Sequence, residues 1–284
     1  MNETVTYIRD TLDCLYPVEE INSLVRRVVE HVCHMPLHQQ LLRKDTQLSQ
    51  TEKERIRAIV QRLVTAEPVQ YVLGETTFCG LTFEVDSSVL IPRPETEELV
   101  EVVIRTLSDS RLNIRELKIW DVGTGSGCIA IALARYLPEA EVYASDISGR
   151  ALETAKCNAR RNGVAVRFVE ADILRETPSS LPSFDVIVSN PPYICVSEKS
   201  GMHANVLDFE PHEALFVPDG DPLLFYRRIA SAGVDKLTPG GWLFFEINEA
   251  CGEIVVDMLC RKGYRDVKLI RDLSNKERMI KAIK

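Results

Sequence analysis

Hydrophobic positions change their rhythm along the chain. Over roughly the first 70 residues they recur every three or four places. Val25, Val28, Val29 and Val32 make one stripe, and Ile56, Ile59, Val60 and Leu63 another. That spacing predicts amphipathic helices packed on their apolar faces. Within Ser49-Gln50-Thr51-Glu52-Lys53-Glu54, Thr51 is the expected N-cap, with Glu54 closing a capping box. The helix ends before Pro68, because proline disfavours the α conformation in the residue preceding it. A small helical domain is expected over 1–74.

The rhythm then shortens. Phe78-Cys79-Gly80-Leu81-Thr82-Phe83-Glu84-Val85 alternates about a glycine and predicts a β-hairpin, in a linker spanning 75–90. Pro92 and Pro94 stiffen the following segment, and a helix starts from Glu95 with acidic residues at its positive end. Beyond it, strands are expected at 117–120, 141–145, 166–169, 184–188 and 241–247. Helices are expected at 129–137, 149–162, 222–237 and 254–261, with a terminal antiparallel pair at 267–270 and 278–283. This alternation predicts an α/β fold, a Rossmann-like doubly wound sheet over 91–284.

Composition removes several function classes. A chain of 284 residues suits two unequal domains, and 45% hydrophobic with 27% charged residues is ordinary for a globular protein. The net charge of −8 argues against a protein that grips nucleic acid through its phosphates. No apolar run approaches the ~20 residues of a membrane span, and Met1 to Asp10 lacks signal-peptide regions. A cytoplasmic monomer without membrane or direct nucleic-acid contact is expected. Eight cysteines without a CxxC pair read as reduced thiols in that compartment. His31, His34 and His38 stand at helical spacing, but Pro36 interrupts them and no ligand set is completed, so no metal is expected.

Candidate chemistry begins at Asp121-Val122-Gly123-Thr124-Gly125-Ser126-Gly127, between a predicted strand and a predicted helix. Glycines there permit a tight turn and close approach of a ligand to the backbone. Gly125-Ser-Gly-Cys-Ile-Ala130 also fits a dinucleotide fingerprint. Asp121 tips the balance, since a carboxylate facing the loop repels a pyrophosphate but suits a cationic cofactor with a free ammonium. Asp121-x-Gly-x-Gly-x-Gly resembles the first motif of class I methyltransferases, which use S-adenosyl-L-methionine and release S-adenosyl-L-homocysteine. Asp146, ending the next strand, is placed to accept from both ribose hydroxyls, and Asp172, after the third, to hold an adenine amino group.

The fourth strand runs into Asn190-Pro191-Pro192-Tyr193. Consecutive prolines fix φ and leave rigid carbonyls. An amide or exocyclic amine is a poor nucleophile, because its lone pair is delocalised. The Asn190 side-chain oxygen and the Pro191 carbonyl together can bind both N–H bonds and bias such a nitrogen toward pyramidal geometry. Tyr193 is placed to stack on its flat face. The motif belongs to methyltransferases of adenine or cytosine amines and of glutamine amides. It names the nitrogen type and leaves the molecule open.

Along nearly its whole length the chain resembles the bacterial peptide chain release factor N5-glutamine methyltransferases, the PrmC/HemK family. The likeness runs from Pro68-Val-Gln-Tyr71-Val-Leu-Gly74 through Phe78-x-Gly80-x-x-Phe83 to Val89-Leu-Ile-Pro-Arg-Pro-Glu-Thr-Glu-Glu-Leu-Val100. It continues over Asp121 to Ala132, Asn190 to Ile194, and Glu210-Pro-x-x-Ala214-Leu215. The resemblance implies a class I S-adenosylmethionine-dependent methyltransferase fold with a small N-terminal helical domain that docks the partner. It implies methylation of the glutamine in the Gly-Gly-Gln motif of class I release factors, which modulates translation termination. On this reading Gly123, Thr124, Gly125, Ser126 and Gly127 cradle the methionine part, Asp146 holds the ribose, Asp172 with Ile173 lies along the adenine, and Asn190 also borders the cofactor. Asn190, Pro191, Pro192 and Tyr193 grip the glutamine, with Arg93 and Glu95 at the pocket mouth. One departure stands after the fifth strand. Asn248 follows Glu246-Ile247 where the family has glycine, and Cys251 stands where glutamine is expected, so the role of that corner is left open. Related alternatives are a glutamine methyltransferase of a large-subunit ribosomal protein and an adenine-N6 methyltransferase of nucleic acid.

Overall fold

A computed structural model describes residues 1–42, 46–109 and 117–284. Its contacts form two units, one of 1–75 with 203–209 and one of 76–202 with 210–284. In the first unit the helical stripes become α1 (Asn2–Leu12), α2 (Val18–Cys33), α3 (Leu37–Leu42), α4 (Gln50–Val64) and α5 (Val69–Leu73). The helical reading of 43–45 lies outside the described residues. Val25, Val28, Val29, Val32, Ile56, Val60 and Leu63 meet Ile8 and Leu12 in one apolar core.

Two details differ from the periodicity. Ser49, not Thr51, caps α4: its hydroxyl accepts from the Glu52 N–H at 3.2 Å, and the Glu52 carboxylate accepts from the Ser49 N–H at 2.7 Å. Both boxes obey the same pattern, but Leu48 is buried in the core, so the chain turns into the helix directly after it. His34 ends α2 in the left-handed conformation (φ 51°), which separates His38 onto α3, and His31 pairs with Glu75 at 3.4 Å.

The second unit opens with the hairpin of β1 (Glu75–Phe78), all but its first residue, and β2 (Leu81–Glu84), whose Phe78 and Phe83 rings meet edge to face in the core. There follow α6 (Pro94–Asp109), β3 (Lys118–Val122), α7 (Cys128–Tyr136), β4 (Glu141–Asp146), α8 (Gly149–Arg161), β5 (Arg167–Glu170) and β6 (Phe184–Ser189). The stretch that follows carries β7 (Ile194–Cys195) and β8 (Phe216–Val217), while α9 (Ala204–Phe209) between them belongs to the first unit. The unit closes with α10 (Leu224–Lys236), β9 (Leu237–Glu246), α11 (Gly252–Arg261), β10 (Arg265–Arg271) and β11 (Glu277–Ile283).

The main sheet has the order β10-β11-β9-β6-β3-β4-β5. β5, β4, β3, β6 and β9 are parallel, and β11 pairs antiparallel with both β9 and β10. Alternate residues of each strand face opposite sides. Ile119, Val186 and Val188 join a cluster with α6 and α7, whereas Trp120, Ile187 and Phe245 join one with α10 and α11. β9 begins four residues earlier than its apolar run because a register shift against β6 absorbs Pro239-Gly240-Gly241. The strand order reverses between β4 and β6 on either side of β3, and ligands bind at the carboxyl ends of strands around such a point. Among the described residues no helix is long and apolar enough to cross a membrane.

Candidate active site

The carboxyl edge of β3, β4, β5 and β6 gathers the residues singled out from the sequence. Gly123 to Gly127 follow β3, Asp146 ends β4, Asp172 follows β5, and Asn190 follows β6. The glycine loop is held by its own backbone. The N–H groups of Gly123 and Thr124 both donate to the Ser145 carbonyl, at 2.8 and 2.9 Å. The Gly125 N–H donates to Asp146 Oδ2 at 2.8 Å, and the Ser148 N–H to Asp146 Oδ1 at 2.9 Å. Asp146 therefore ties the loop to the start of α8, and burial raises its pKa above the ordinary aspartate value.

Asp121 is fully buried. Its Oδ2 accepts from the Thr124 hydroxyl at 2.6 Å and from the Ala130 N–H at 3.3 Å, while its buried Oδ1 has no partner among the described residues. Desolvation is the main cause that pushes this carboxyl up to about 7. A buried carboxylate with an unused oxygen is costly unless a cation or donor meets it.

The loop also leans on a residue that sequence patterning passed over. Asn158, on α8, is completely buried. Its Nδ2 donates to the Ser126 carbonyl at 2.9 Å and the Glu84 carbonyl at 3.0 Å, and its Oδ1 accepts from the Glu84 N–H at 2.6 Å. One amide thus joins the glycine loop to β2. Its signal is a polar residue in phase with the buried Ala151, Ala155 and Ala159. Asn158→Ala is expected to cost about 2–4 kcal/mol in urea unfolding, since buried backbone groups lose their partners. A loss below about 0.5 kcal/mol, the range of a neutral surface change, would contradict that role.

After β6, the Ser189 hydroxyl donates to the Val122 carbonyl at 2.6 Å and locks the next turn to the end of β3. Asn190 Nδ2 donates to Thr96 Oγ1 at 3.1 Å, and Thr96 Oγ1 donates to Glu246 Oε2 at 2.6 Å. The Tyr193 hydroxyl donates to Glu246 Oε1 at 3.0 Å, so that ring is anchored by its polar end and packs against the α10–α11 cluster. Burial, reinforced by the facing Glu246, raises the Tyr193 hydroxyl pKa far enough to keep it a donor. The corner left open by the sequence also has a contact here. Asn248 Nδ2 donates to the Tyr193 carbonyl at 3.3 Å, and its Oδ1 accepts from the Ala250 N–H at 3.0 Å.

Arg93 pairs with the buried Glu210 at 2.5 Å, and Glu210 also accepts from the Ile91 N–H at 3.3 Å. These bonds pin the Ile-Pro-Arg-Pro segment to the start of the Glu210-Pro211 stretch. Glu95 lies partly exposed in the first turn of α6. Asp172 accepts from the Leu174 N–H at 2.9 Å and pairs with Arg175 at 3.1 Å, while Ile173 packs on the α10–α11 cluster.

Two family models match the chain, the PrmC N-terminal domain over residues 5–74 and the Methyltransferase small domain over 99–208. A release factor glutamine methyltransferase of Bacteroides thetaiotaomicron is 44% identical, the match covering 99% of each chain. One of Flavobacterium psychrophilum is 43% identical, covering 97% of this chain and 96% of the relative. The solved structure of a methyltransferase from Pyrococcus furiosus shares the fold, with a TM-score of 0.52 at 19% identity over 78% of this chain and 96% of that one.

Proposed function

The chain belongs to the release factor glutamine methyltransferases, and from that premise we propose which of its atoms receive the methyl donor and which hold the glutamine. It transfers a methyl group to a glutamine of a release factor. Our reading places the target nitrogen in the side chain of the Gly-Gly-Gln glutamine of a class I factor. S-adenosylmethionine, when bound, supplies a methyl group on a positively charged sulfur. The strand-edge residues fit it. The partnerless buried Oδ1 of Asp121 suits the ammonium of the methionine part. An added Cβ at Gly123 or Gly125 would meet nothing within 4 Å, so the loop leaves open space there. Asp146 is suited to the ribose hydroxyls, and Asp172 with Ile173 to the adenine.

The way the target nitrogen is held is carried by one observation: Asn190 turns its Nδ2 inward onto Thr96. Its Oδ1 is then the free edge of the amide, and with the Pro191 carbonyl it accepts both N–H bonds of the target. Held at both hydrogens, the amide nitrogen is aimed at the methyl group, and positioning supplies most of the rate. The proton leaves after the new N–C bond makes it acidic. Tyr193, its hydroxyl fixed on Glu246, offers its ring to the acceptor. The N-terminal unit serves to dock the release factor, and the enzyme works as a cytoplasmic monomer.

Peptide mass spectrometry of a class I release factor after reaction tests the acceptor. A single methyl group on the Gly-Gly-Gln glutamine is expected, and a methyl group on any other residue would reject it. The ammonium assignment has its own pH signature. Asp121 must be charged to bind a cation, and burial holds its pKa near 7, so affinity falls as pH drops through that value. By calorimetry the cofactor is expected to bind about 10- to 30-fold more weakly at about pH 5.5 than at about pH 7.5. A flat profile in the parent enzyme would remove Asp121 from the ammonium site.

A further inference from the structure

We propose that Glu246 and Thr96 form a directional relay that decides which edge of the Asn190 amide faces the substrate, making both of them positioning residues for methyl transfer. The inference rests on the reading that Asn190 Oδ1 accepts from the target amide. Its basis is the count of protons along the chain of contacts. Glu246 is 1% exposed, and its two carboxylate oxygens accept from separate hydroxyls, Tyr193 on Oε1 and Thr96 on Oε2. An ionised carboxylate can only accept, and a threonine hydroxyl has one proton. With that proton committed to Glu246, Thr96 Oγ1 can only accept from its other neighbour. Asn190 must therefore present Nδ2, as it does at 3.1 Å.

The consequence lies on the far edge of the same amide. The oxygen and nitrogen of an asparagine are nearly the same size, so a half-turn about the last side-chain bond exchanges acceptor and donor at little steric cost. In the flipped state an N–H would face the N–H of the incoming glutamine, and the nitrogen would not be held. The relay penalises that state because the flipped amide would turn its acceptor toward a hydroxyl with no proton to give. It draws on three separate elements, α6 for Thr96, the turn after β6 for Asn190, and the end of β9 for Glu246. Burial, with the charge of Glu95 behind it, raises the Glu246 pKa above the ordinary glutamate value, and the two hydroxyl bonds and the charge of Arg278 oppose that rise in favour of the carboxylate.

Steady-state kinetics on release factor, with the full-length enzyme, tests this. Thr96→Val keeps the shape of the side chain and removes the relay. Its kcat for transfer is expected to fall roughly tenfold, the worth of about one hydrogen bond, with cofactor affinity retained and the unfolding midpoint lowered by the partner that buried Glu246 loses. Thr96→Ser restores the hydroxyl and is expected to recover most of the rate. A Thr96→Val enzyme with the parent kcat, or a Thr96→Ser enzyme as slow as the valine variant, would overturn the relay.

Reversing the polarity gives a second readout that simple loss of packing would not move. Asn190→Asp sets two carboxylates against one hydroxyl proton, and activity falls. Adding Glu246→Gln lets the new amide nitrogen donate to Thr96, and Thr96 donate to one oxygen of the introduced aspartate. The other oxygen of that aspartate then faces the substrate. The new glutamine's oxygen still accepts from Tyr193, and the net charge of the cluster is unchanged. The double variant is expected to be faster than Asn190→Asp by about tenfold, whereas independent, multiplying losses would overturn the proposal. If the double variant does not fold, the valine–serine pair decides. Asn190→Ala separates this inference from the reading beneath it. An active Asn190→Ala enzyme rejects the role of Asn190 itself, while an inactive one beside an unaffected Thr96→Val enzyme rejects the relay alone.

Discussion

Asn190→Ala is expected to bind S-adenosylmethionine with near-parent affinity and to transfer methyl groups about a hundred- to a thousandfold more slowly. The two halves of that expectation come from different parts of the strand edge. Cofactor affinity rests on the glycine loop with Asp121 and Asp146, whose hydrogen bonds do not pass through Asn190. Transfer rests on holding a planar nitrogen by both of its hydrogens. With the Asn190 oxygen removed, the Pro191 carbonyl restrains one N–H, and the amide rotates about that single bond. The lone pair is then seldom aimed at the methyl group. Thr96 does not replace the lost acceptor: its oxygen can accept, but its bond to Glu246 holds it behind the Asn190 amide, on the side away from the substrate. Single-turnover rates with saturating cofactor measure the chemical step directly. Transfer within a few-fold of the parent would contradict the orientation mechanism.

Gly127→Ala is expected to cost about 2–4 kcal/mol of stability and to weaken cofactor binding with it. Two penalties meet at this position. Its φ of 83° lies in the left-handed region, where a side chain is strained. A Cβ built there also falls 2.8 Å from Ile131 Cδ1, a side-chain end that can swing aside, and 3.0 Å from Ala155 Cβ and 3.4 Å from Ala155 Cα, so α8 must give way to admit it. Moving that helix disturbs the Gly127 N–H to Thr124 carbonyl bond at 2.9 Å and the loop that carries Gly125 onto Asp146. Gly123 is the internal comparison. Its φ is 74°, but a Cβ there meets nothing within 4 Å, so Gly123→Ala bears the backbone strain alone. Urea unfolding of both variants separates the terms, and equal losses would show that helix packing at Gly127 is not what the glycine provides.

The middle of the sheet was legible because β3 and β6 are buried on both faces and the strands are punctuated by glycine, proline and acidic residues. Apolar runs such as Phe184 to Val188 stand out from their surroundings, and each expected strand has a counterpart in the structure. The strand-edge carboxylates stood out for a related reason: Asp121 interrupts an apolar run near the end of β3 and Asp146 closes β4, where a charge is expensive without a partner. Boundaries were less so. Ser49 and Thr51 each start a valid capping box, and only the burial of Leu48 chooses between them. The short pair β7–β8 has two residues per strand, too few for any period to register.

The supporting layer of the site was not legible, because its members find one another only in three dimensions. Thr96 stands 94 residues before Asn190 and 150 before Glu246. In the sequence Thr96 reads as part of a helix start, and Glu246 as the end of a strand beside an unfamiliar corner. Asn158 looks like an ordinary helix residue until its 74-residue reach to Glu84 is seen. Asn248 departs from the expected glycine, yet it is the residue whose amide reaches the Tyr193 carbonyl. A polar side chain in phase with buried neighbours is the one signal that marks such positions in advance, since each must find a partner.

The most direct measurement is transfer of a labelled methyl group from S-adenosylmethionine to a purified class I release factor, beside the same factor carrying Gly-Gly-Ala in place of Gly-Gly-Gln. Ribosomal subunits and duplex DNA run in parallel as acceptors. Label on the Gly-Gly-Gln factor alone is the expected result and identifies the molecule and the residue together. Label that persists on the Gly-Gly-Ala factor, or that appears instead on a ribosomal protein or on DNA, would contradict the assignment of the glutamine as the acceptor.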